Sequence, residues 1–391
     1  MSFYSGVSFF LLLIAFMIPA LFLGILGKSL KLYSFFISLI FIFLVLRDDP
    51  IQLIYLTLFY CFSLLLVTVF FKLRQTHGKK TFIFALFVLL SLAPLIVSKV
   101  SGLFLHNIFG FLGISYLTFK VVQVVIEIHD GVIKELHTFS FSSFLLFFPV
   151  FSSGPIDRSR RFEADLNRIP SRDEYLELAG QGLVKIIWGG VYKFVLSAIF
   201  YGLLNEFADR LTVWSLIGYA YAYGIYLFFD FAGYSSMAVG VSYLLGIRTP
   251  DNFNKPFISI DIRDFWNRWH ITLSHWFRDF LFSRFMMTAI RKKWFSSRLT
   301  GAAIGFIVNM LVMGIWHGLT SYYILYGAFH GILLAVTEIY QKKSRFYARY
   351  KNNRAYKLVS WFFTLNAVML GFLIFSGRFH VAAAALIQKI F

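Results

Sequence analysis

Cysteine is almost absent from this 391-residue chain, and charge of either sign is scarce. The single cysteine, Cys61, excludes an intramolecular disulfide and a cysteine-rich metal site. Charged residues make up 14% of the sequence, well below the roughly 25% of soluble globular chains. Acid is scarcer still: 19 Asp and Glu stand against 37 Lys and Arg, a formal net charge of +18. On a soluble protein that surplus would point to nucleic acid. Here the basic residues collect in loops between apolar runs, so the positive-inside rule accounts for them and no nucleic-acid partner is implied. The chain has no Gly-rich phosphate loop, no internal repeat, no soluble domain and no Cys or His pair at zinc spacing, so no metal is expected. The first 27 residues lack a basic n-region and a small-residue cleavage site. They read as a first transmembrane span and not as a signal peptide.

What is present is hydrophobic length. Apolar residues reach 59%, with 50 Phe and 21 Tyr suited to lipid-facing helices and interfacial belts. Runs near the roughly 17–25 residues that a span needs fall at 4–27, 30–46, 51–71, 81–98, 102–128, 182–204, 211–229, 300–317, 321–340 and 358–376, with a short helix at 379–391. The expectation is an all-α, polytopic integral membrane protein with about 10–11 crossings. It forms a single membrane-embedded domain over 1–391: N-terminal spans in 1–137, re-entrant segments and cytoplasmic amphipathic helices in 138–299, and C-terminal spans in 300–391. The run Phe139–Phe151 is too short to cross and contains Pro149, which suits a re-entrant segment buried among helices. Basic segments at 72–80, 261–299 and 342–357 belong in the cytoplasm, which puts the N-terminus outside. For 261–299 to lie there, one preceding run must cross only partly. Asp230–Gly246, interrupted by Gly233, is the expected one, with Asp230 inside the protein and not facing lipid.

The chemistry-bearing stretch is Trp266–Phe280, read as one helix. At 100° per residue Trp266, Trp269, His270, Leu273, Phe277 and Phe280 share a face, while Asn267, Arg268, Thr272, His275, Arg278 and Asp279 share the other. His270 thus sits in the apolar stripe, either as a buried structural imidazole or as part of a site. His317 follows in Gly314-Ile315-Trp316-His317-Gly318, inside a long apolar run. A titratable group at that depth is a functional candidate, and an imidazole is a general base near neutrality. His330, in Ala328-Phe329-His330-Gly331, is either a packed core residue or a member of the same site.

Six motifs in order carry a resemblance that covers essentially the whole chain: Gly113-Ile114-Ser115-Tyr116, Ser153-Gly154-Pro155-Ile156-Asp157-Arg158, Phe229-Asp230-Phe231-Ala232-Gly233-Tyr234-Ser235, Asn252-Phe253-Asn254-Lys255-Pro256-Phe257, Asp264-Phe265-Trp266-Asn267-Arg268-Trp269-His270 and Gly314-Ile315-Trp316-His317-Gly318. Together they resemble the membrane-bound O-acyltransferase (MBOAT) superfamily, and most of all its members that D-alanylate teichoic acids in Gram-positive envelopes. The resemblance implies a ring of transmembrane helices around a thinned centre, crossed by a tunnel at the histidine. It implies that His317 is catalytic and that His270 matches an upstream conserved position. Asp230, Trp266, Trp269, Trp316 and His330 become tunnel candidates.

No bound cofactor is implied. The acyl donor is D-alanine held as a thioester on the phosphopantetheine arm of a small, acidic, acyl-carrier-like protein, and Arg291, Lys292 and Lys293 are candidates for docking it. Other membrane proteins of the D-alanylation pathway are implied partners in the cell membrane, with teichoic acid or a protein intermediate as acceptor. Two alternatives stand beside this reading: a polysaccharide O-acetyltransferase of the same superfamily, and a transporter or flippase. One tension is built in. Counted from Thr300, His317 lies about 26 Å along its helix, near the outer face unless the helix starts sunken or the bilayer thins.

Overall fold

The structure, a computed structural model, describes residues 1–104 and 109–390; His106 lies outside the described residues. Among the described residues every element longer than an isolated bridge is helical. The chain divides into two compact units, Met1–Gly190 with Tyr234–Asp251, and Val191–Gly233 with Asn252–Phe391.

The first unit opens with α1 (Val7–Ile25), α2 (Lys31–Leu46), α3 (Pro50–His77) and α4 (Thr81–Phe104). These are runs of Leu, Ile and Phe whose outer faces stay bare; Leu11, Phe22 and Leu65 are each exposed. That is the pattern of helices solvated by lipid. α5 (Ile114–Asp130) differs, being buried from Ile114 to Ile128 on every face, as expected of a core helix. The fifth run therefore does not begin at 102 as its hydropathy suggested. α4 continues to Phe104, and α5 starts only after Gly113, whose backbone is left-handed (φ 91°) and abuts the Phe151 carbonyl.

The run 139–151, expected as a re-entrant segment, forms two short elements. α6 (Thr138–Leu146) is followed by a single 3-10 turn at Phe148–Val150, and both are buried. Phe148 stacks on Phe41 at 4.4 Å, and the Tyr4 hydroxyl donates to the Pro149 carbonyl at 3.2 Å. α7 (Ser159–Asn167) and α8 (Arg172–Gly190) complete this unit. The buried Tyr175 of α8 hydrogen-bonds the carbonyls of Ala20 and Leu244.

In the second unit α8 runs on through a π-helical turn, Val191–Leu196, into α9 (Ser197–Ala208). α10 (Val213–Leu244) is one unbroken helix of 32 residues, and the expected partial crossing at Asp230–Gly246 is corrected accordingly. Gly233 does not end it, and Asp230 forces no break because Lys193 Nζ meets its carboxylate at 2.6 Å. A paired charge on a helix costs far less than a bare one in the membrane.

Three short helices follow: α11 (Ile262–Trp266), α12 (Ile271–Phe277) and α13 (Ser283–Arg291), with a π-helical turn at Arg278–Phe282. The continuous helix expected over Trp266–Phe280 is thus replaced by two helices meeting at His270, which is left-handed (φ 43°). The cause is a long-range tether. Asn252 accepts from the Ile271 amide through its carbonyl, and from the Thr272 amide and hydroxyl through its side chain. Thr272, assigned to the polar face, is buried as a result.

The last helices are α14 (Arg298–His317), α15 (Ser321–Lys343), α16 (Arg345–Tyr350), α17 (Arg354–Phe375) and α18 (Arg378–Ile390). α14 and α15 pack along glycines. A Cβ on Gly314 would lie 2.4 Å from the Tyr323 carbonyl oxygen, and one on Gly327 would lie 2.4 Å from that of Met310. Small residues at a helix crossing permit this approach.

Among the described residues eight helices are long and apolar enough to cross a membrane, with α2 a shorter apolar helix beside them. The 17-residue, tightly packed α5 and the 13-residue α18 fall below that length.

Candidate active site

His317 ends α14, and its position follows from the glycine seam just described. With Gly314 one turn earlier locked against α15, the imidazole is held 6.2 Å from the Tyr326 ring and 5.0 Å from Phe375, centroid to centroid. Tyr323 lies on its other side at 5.9 Å. His270 arrives by a different route. Its left-handed backbone turns the side chain inward between α11 and α12, where it meets Phe231 edge to face at 4.7 Å. A non-glycine residue with positive φ is uncommon, and His is among the types that tolerate it.

The two imidazoles line one cavity of about 80 Å³. Its remaining walls are Leu227, Phe231, Trp266, Trp269, Leu273, Met313, Tyr326, Phe372 and Phe375, so no carboxylate borders it. His270 is 5% exposed. Burial first, and a charge on His317 second, push its pKa down to about 3, so it is neutral at physiological pH.

A second cavity of about 590 Å³ adjoins the first. Both are lined by Trp266 and Met313, which therefore form the wall between them. The larger one is polar at its edges, with Asn267, His275, Arg278 and the ion pair of Arg263 with Glu338. His275, assigned to the surface, is a half-buried part of that lining.

The remaining candidates separate. Trp266 and Trp269 line the histidine cavity, whereas the Trp316 ring lies tilted beside His317 at 4.5 Å without lining it. Asp230 is also off the cavity, with its carboxylate on Lys193; the next residue, Phe231, faces in. His330 is 1% exposed and packs 4.6 Å from Tyr326 and 5.3 Å from Trp266. Gly371 makes room for it, since a Cβ there would sit 2.4 Å from His330 Nε2.

Arg291, Lys292 and Lys293 are exposed at the end of α13, beside exposed Met287, Ile290 and Trp294. Sequence reasoning did not single out Tyr326, Phe372 or Phe375. Each is one aromatic among many on an apolar span, and only the fold distinguishes them. Among the described residues His77, His129, His137 and His380 lie at or near helix ends; His137, for instance, pairs with Glu163 at 2.9 Å.

A multi-pass helical protein with two imidazoles in a small apolar chamber falls in the class of membrane-embedded acyl-transfer enzymes. The profile described as the MBOAT, membrane-bound O-acyltransferase family, matches residues 41–377, and this chain belongs to that family. It is 42% identical over 394 residues to a protein named teichoic acid D-alanyltransferase from Bacillus subtilis (strain 168), covering 96% of this chain and 98% of the relative. A protein of the same name from Lacticaseibacillus rhamnosus is 43% identical over 392 residues, 96% of each chain. A probable alginate O-acetylase from Pseudomonas putida is 32% identical over 277 residues, 70% of this chain and 53% of that protein.

Proposed function

We propose that this enzyme transfers D-alanine from a phosphopantetheine thioester on a small carrier protein to a hydroxyl of the teichoic-acid pathway, with His317 as general base. The observation that carries the reading is the pairing of His317 and His270 in one cavity of about 80 Å³. That is room for a few water molecules, and so for a short acyl group but not for a fatty chain. The relatives named as D-alanyltransferases cover 96% of the chain against 70% for the alginate relative, which favours D-alanyl over acetyl transfer. Membership in an acyltransferase family removes the transporter reading.

The chemistry is modest because a thioester is already activated. The acceptor hydroxyl oxygen attacks the thioester carbonyl carbon while the His317 imidazole takes the hydroxyl proton. As the tetrahedral adduct collapses, the C–S bond breaks and the imidazolium returns the proton to sulfur, leaving an ester and a free thiol. Positioning and proton transfer together supply most of what such a step needs. Neutral, fully buried His270 orients the reacting groups. The D-alanyl ammonium meets the ring faces of Phe231, Trp269 and Phe372 in place of a carboxylate.

The donor arm enters through the 590 Å³ cavity and passes Trp266 and Met313 to reach His317. Its carrier docks on α13, where Arg291, Lys292 and Lys293 meet an acidic partner and Met287, Ile290 and Trp294 supply apolar contact. The face bearing α13 and the basic 342–357 segment is cytoplasmic and the N-terminus is outside. Labelling of a cysteine placed at Lys351 by an impermeant reagent outside intact cells would contradict this orientation.

The deciding experiment reconstitutes the protein with its carrier charged with labelled D-alanine and follows the label. Transfer to an ester on the acceptor by the native enzyme, and its loss in His317→Ala, are expected. Label that stays on the carrier, or equal turnover of an acetyl-charged carrier, overturns the reading.

A further inference from the structure

The second unit holds one large groove that the acyl-transfer reading does not use. It lies between α15, α16 and α17, has a volume of about 860 Å³, and is closed at one end by Ile260 and Asp261. We infer that this groove binds one anionic phospholipid.

Three independent features of the groove converge on that occupant. The first is shape and polarity. Part of its lining is apolar, with Leu333, Val359 and Phe363, and Val359 and Phe363 are 53% and 67% exposed on a helix fit to cross the bilayer. An acyl chain lying there stays in contact with surrounding lipid. The mouth is polar and aromatic, with Tyr347, Tyr350, Asn353 and Tyr356, the residues that favour headgroup depth.

The second feature is charge. Between 342 and 357 the chain carries Lys342, Lys343, Arg345, Arg349, Lys351, Arg354 and Lys357 and no acid. Among the described residues none of the seven enters an ion pair, whereas Lys193, Arg263 and Arg268 of the same unit all do. The one acid in the groove is already committed. Asp261 Oδ1 accepts from the Asp264 amide at 2.8 Å, and Oδ2 accepts from Gln341 Nε2 at 3.0 Å. Free cations over an apolar trough complement a phosphate headgroup on an acyl chain.

The third feature is size. The volume lies within the roughly 300–1,000 Å³ of sites that hold a discrete ligand. A diffuse polybasic surface attracts anionic lipid without needing a trough, whereas a built trough selects one molecule.

The site makes a specific claim about which lysine matters. Lys351 borders the groove, while Lys342 is exposed and lies outside it. The purified protein is loaded in micelles holding equal phosphatidylglycerol and phosphatidylcholine, and the bound lipid is counted by native mass spectrometry. One phosphatidylglycerol per chain is expected. Lys351→Ala should lower its retention about fivefold, on the scale of one basic residue near an anionic surface, and Lys342→Ala should change it less than twofold.

Excess soluble glycerol phosphate should leave the bound lipid in place, since it offers the headgroup without the chain. Equal retention of phosphatidylcholine, equal effects of the two substitutions, or displacement by glycerol phosphate would each overturn the inference. Melting temperatures of both variants check that they fold. None of these readouts depends on acyl transfer.

Discussion

Two clusters of buried polar residues invite comparison, one around Lys120 in the first unit and one around His317 in the second. Lys120 is 1% exposed, and its Nζ donates to the Phe144 carbonyl at 2.8 Å and lies 5.1 Å from that residue's ring. Nearby Asp157, 2% exposed, takes Arg161 Nε and the Arg158 amide on one carboxylate oxygen. Burial pushes its pKa up to about 6, more than Arg161 pulls it back. Lys120 ties α5 to α6, and Asp157 holds the start of α7. His317 and His270 are placed otherwise: both border an open volume. The first cluster closes around its own neighbours, and the second lines a cavity.

Substitutions can break that contrast. The largest effect is expected at His317. Alanine there should lower acyl transfer roughly 10²–10⁴-fold, with the melting temperature in detergent nearly unchanged, because the side chain borders a cavity and is not packed on every side. If activity survives in a folded His317→Ala protein, the cavity is not the reaction site.

Lys120→Met should do the reverse. It keeps the length of the side chain but orphans the Phe144 carbonyl, a loss of about 1–3 kcal/mol in stability, with transfer per folded molecule intact. A large loss of turnover without loss of stability would erase the distinction between the two clusters.

A third effect is in the pH dependence of stability. Unfolded, His270 binds a proton near 6.5; folded, it does so only near 3. The unfolded chain therefore gains protons first as pH falls, and stability drops progressively from about 6.5 toward 3. His270→Asn, which tolerates the same left-handed backbone, should flatten that part of the stability curve. An unchanged slope would mean the imidazole is not buried as described.

Much of the fold is legible in hydropathy because a bilayer demands long apolar runs and leaves few other solutions. The break of the run at 138–150 into short elements was legible for the same reason: a short run with a proline is not a span. The turn at His270 was not. Helical periodicity through Trp266–Phe280 is good enough to read as one helix, and the break comes from Asn252, a residue 20 positions away that no local pattern connects to Thr272.

Asp230 misled in an instructive way. Its charge marked the right turn of α10, but successive helical residues point about 100° apart, so Phe231 faces the cavity while Asp230 turns to Lys193. The histidines themselves were readable because titratable groups are rare in apolar runs. The aromatic walls were not, because rings are common there.

The glycine seam between α14 and α15 also bears on how this enzyme meets membranes of different thickness. Backbones in direct contact at Gly314 and Gly327 leave no side-chain layer to compress or slide. A bilayer thicker or thinner than the helices is normally accommodated by tilt or local deformation of lipid, at a fraction of a kcal/mol per Å. Here the two helices must tilt as one piece, so His317 keeps its distance to Tyr326 whatever its depth. The placement of His317 is referenced to the neighbouring helix and not to the membrane plane, and the surrounding lipid is left to absorb the mismatch.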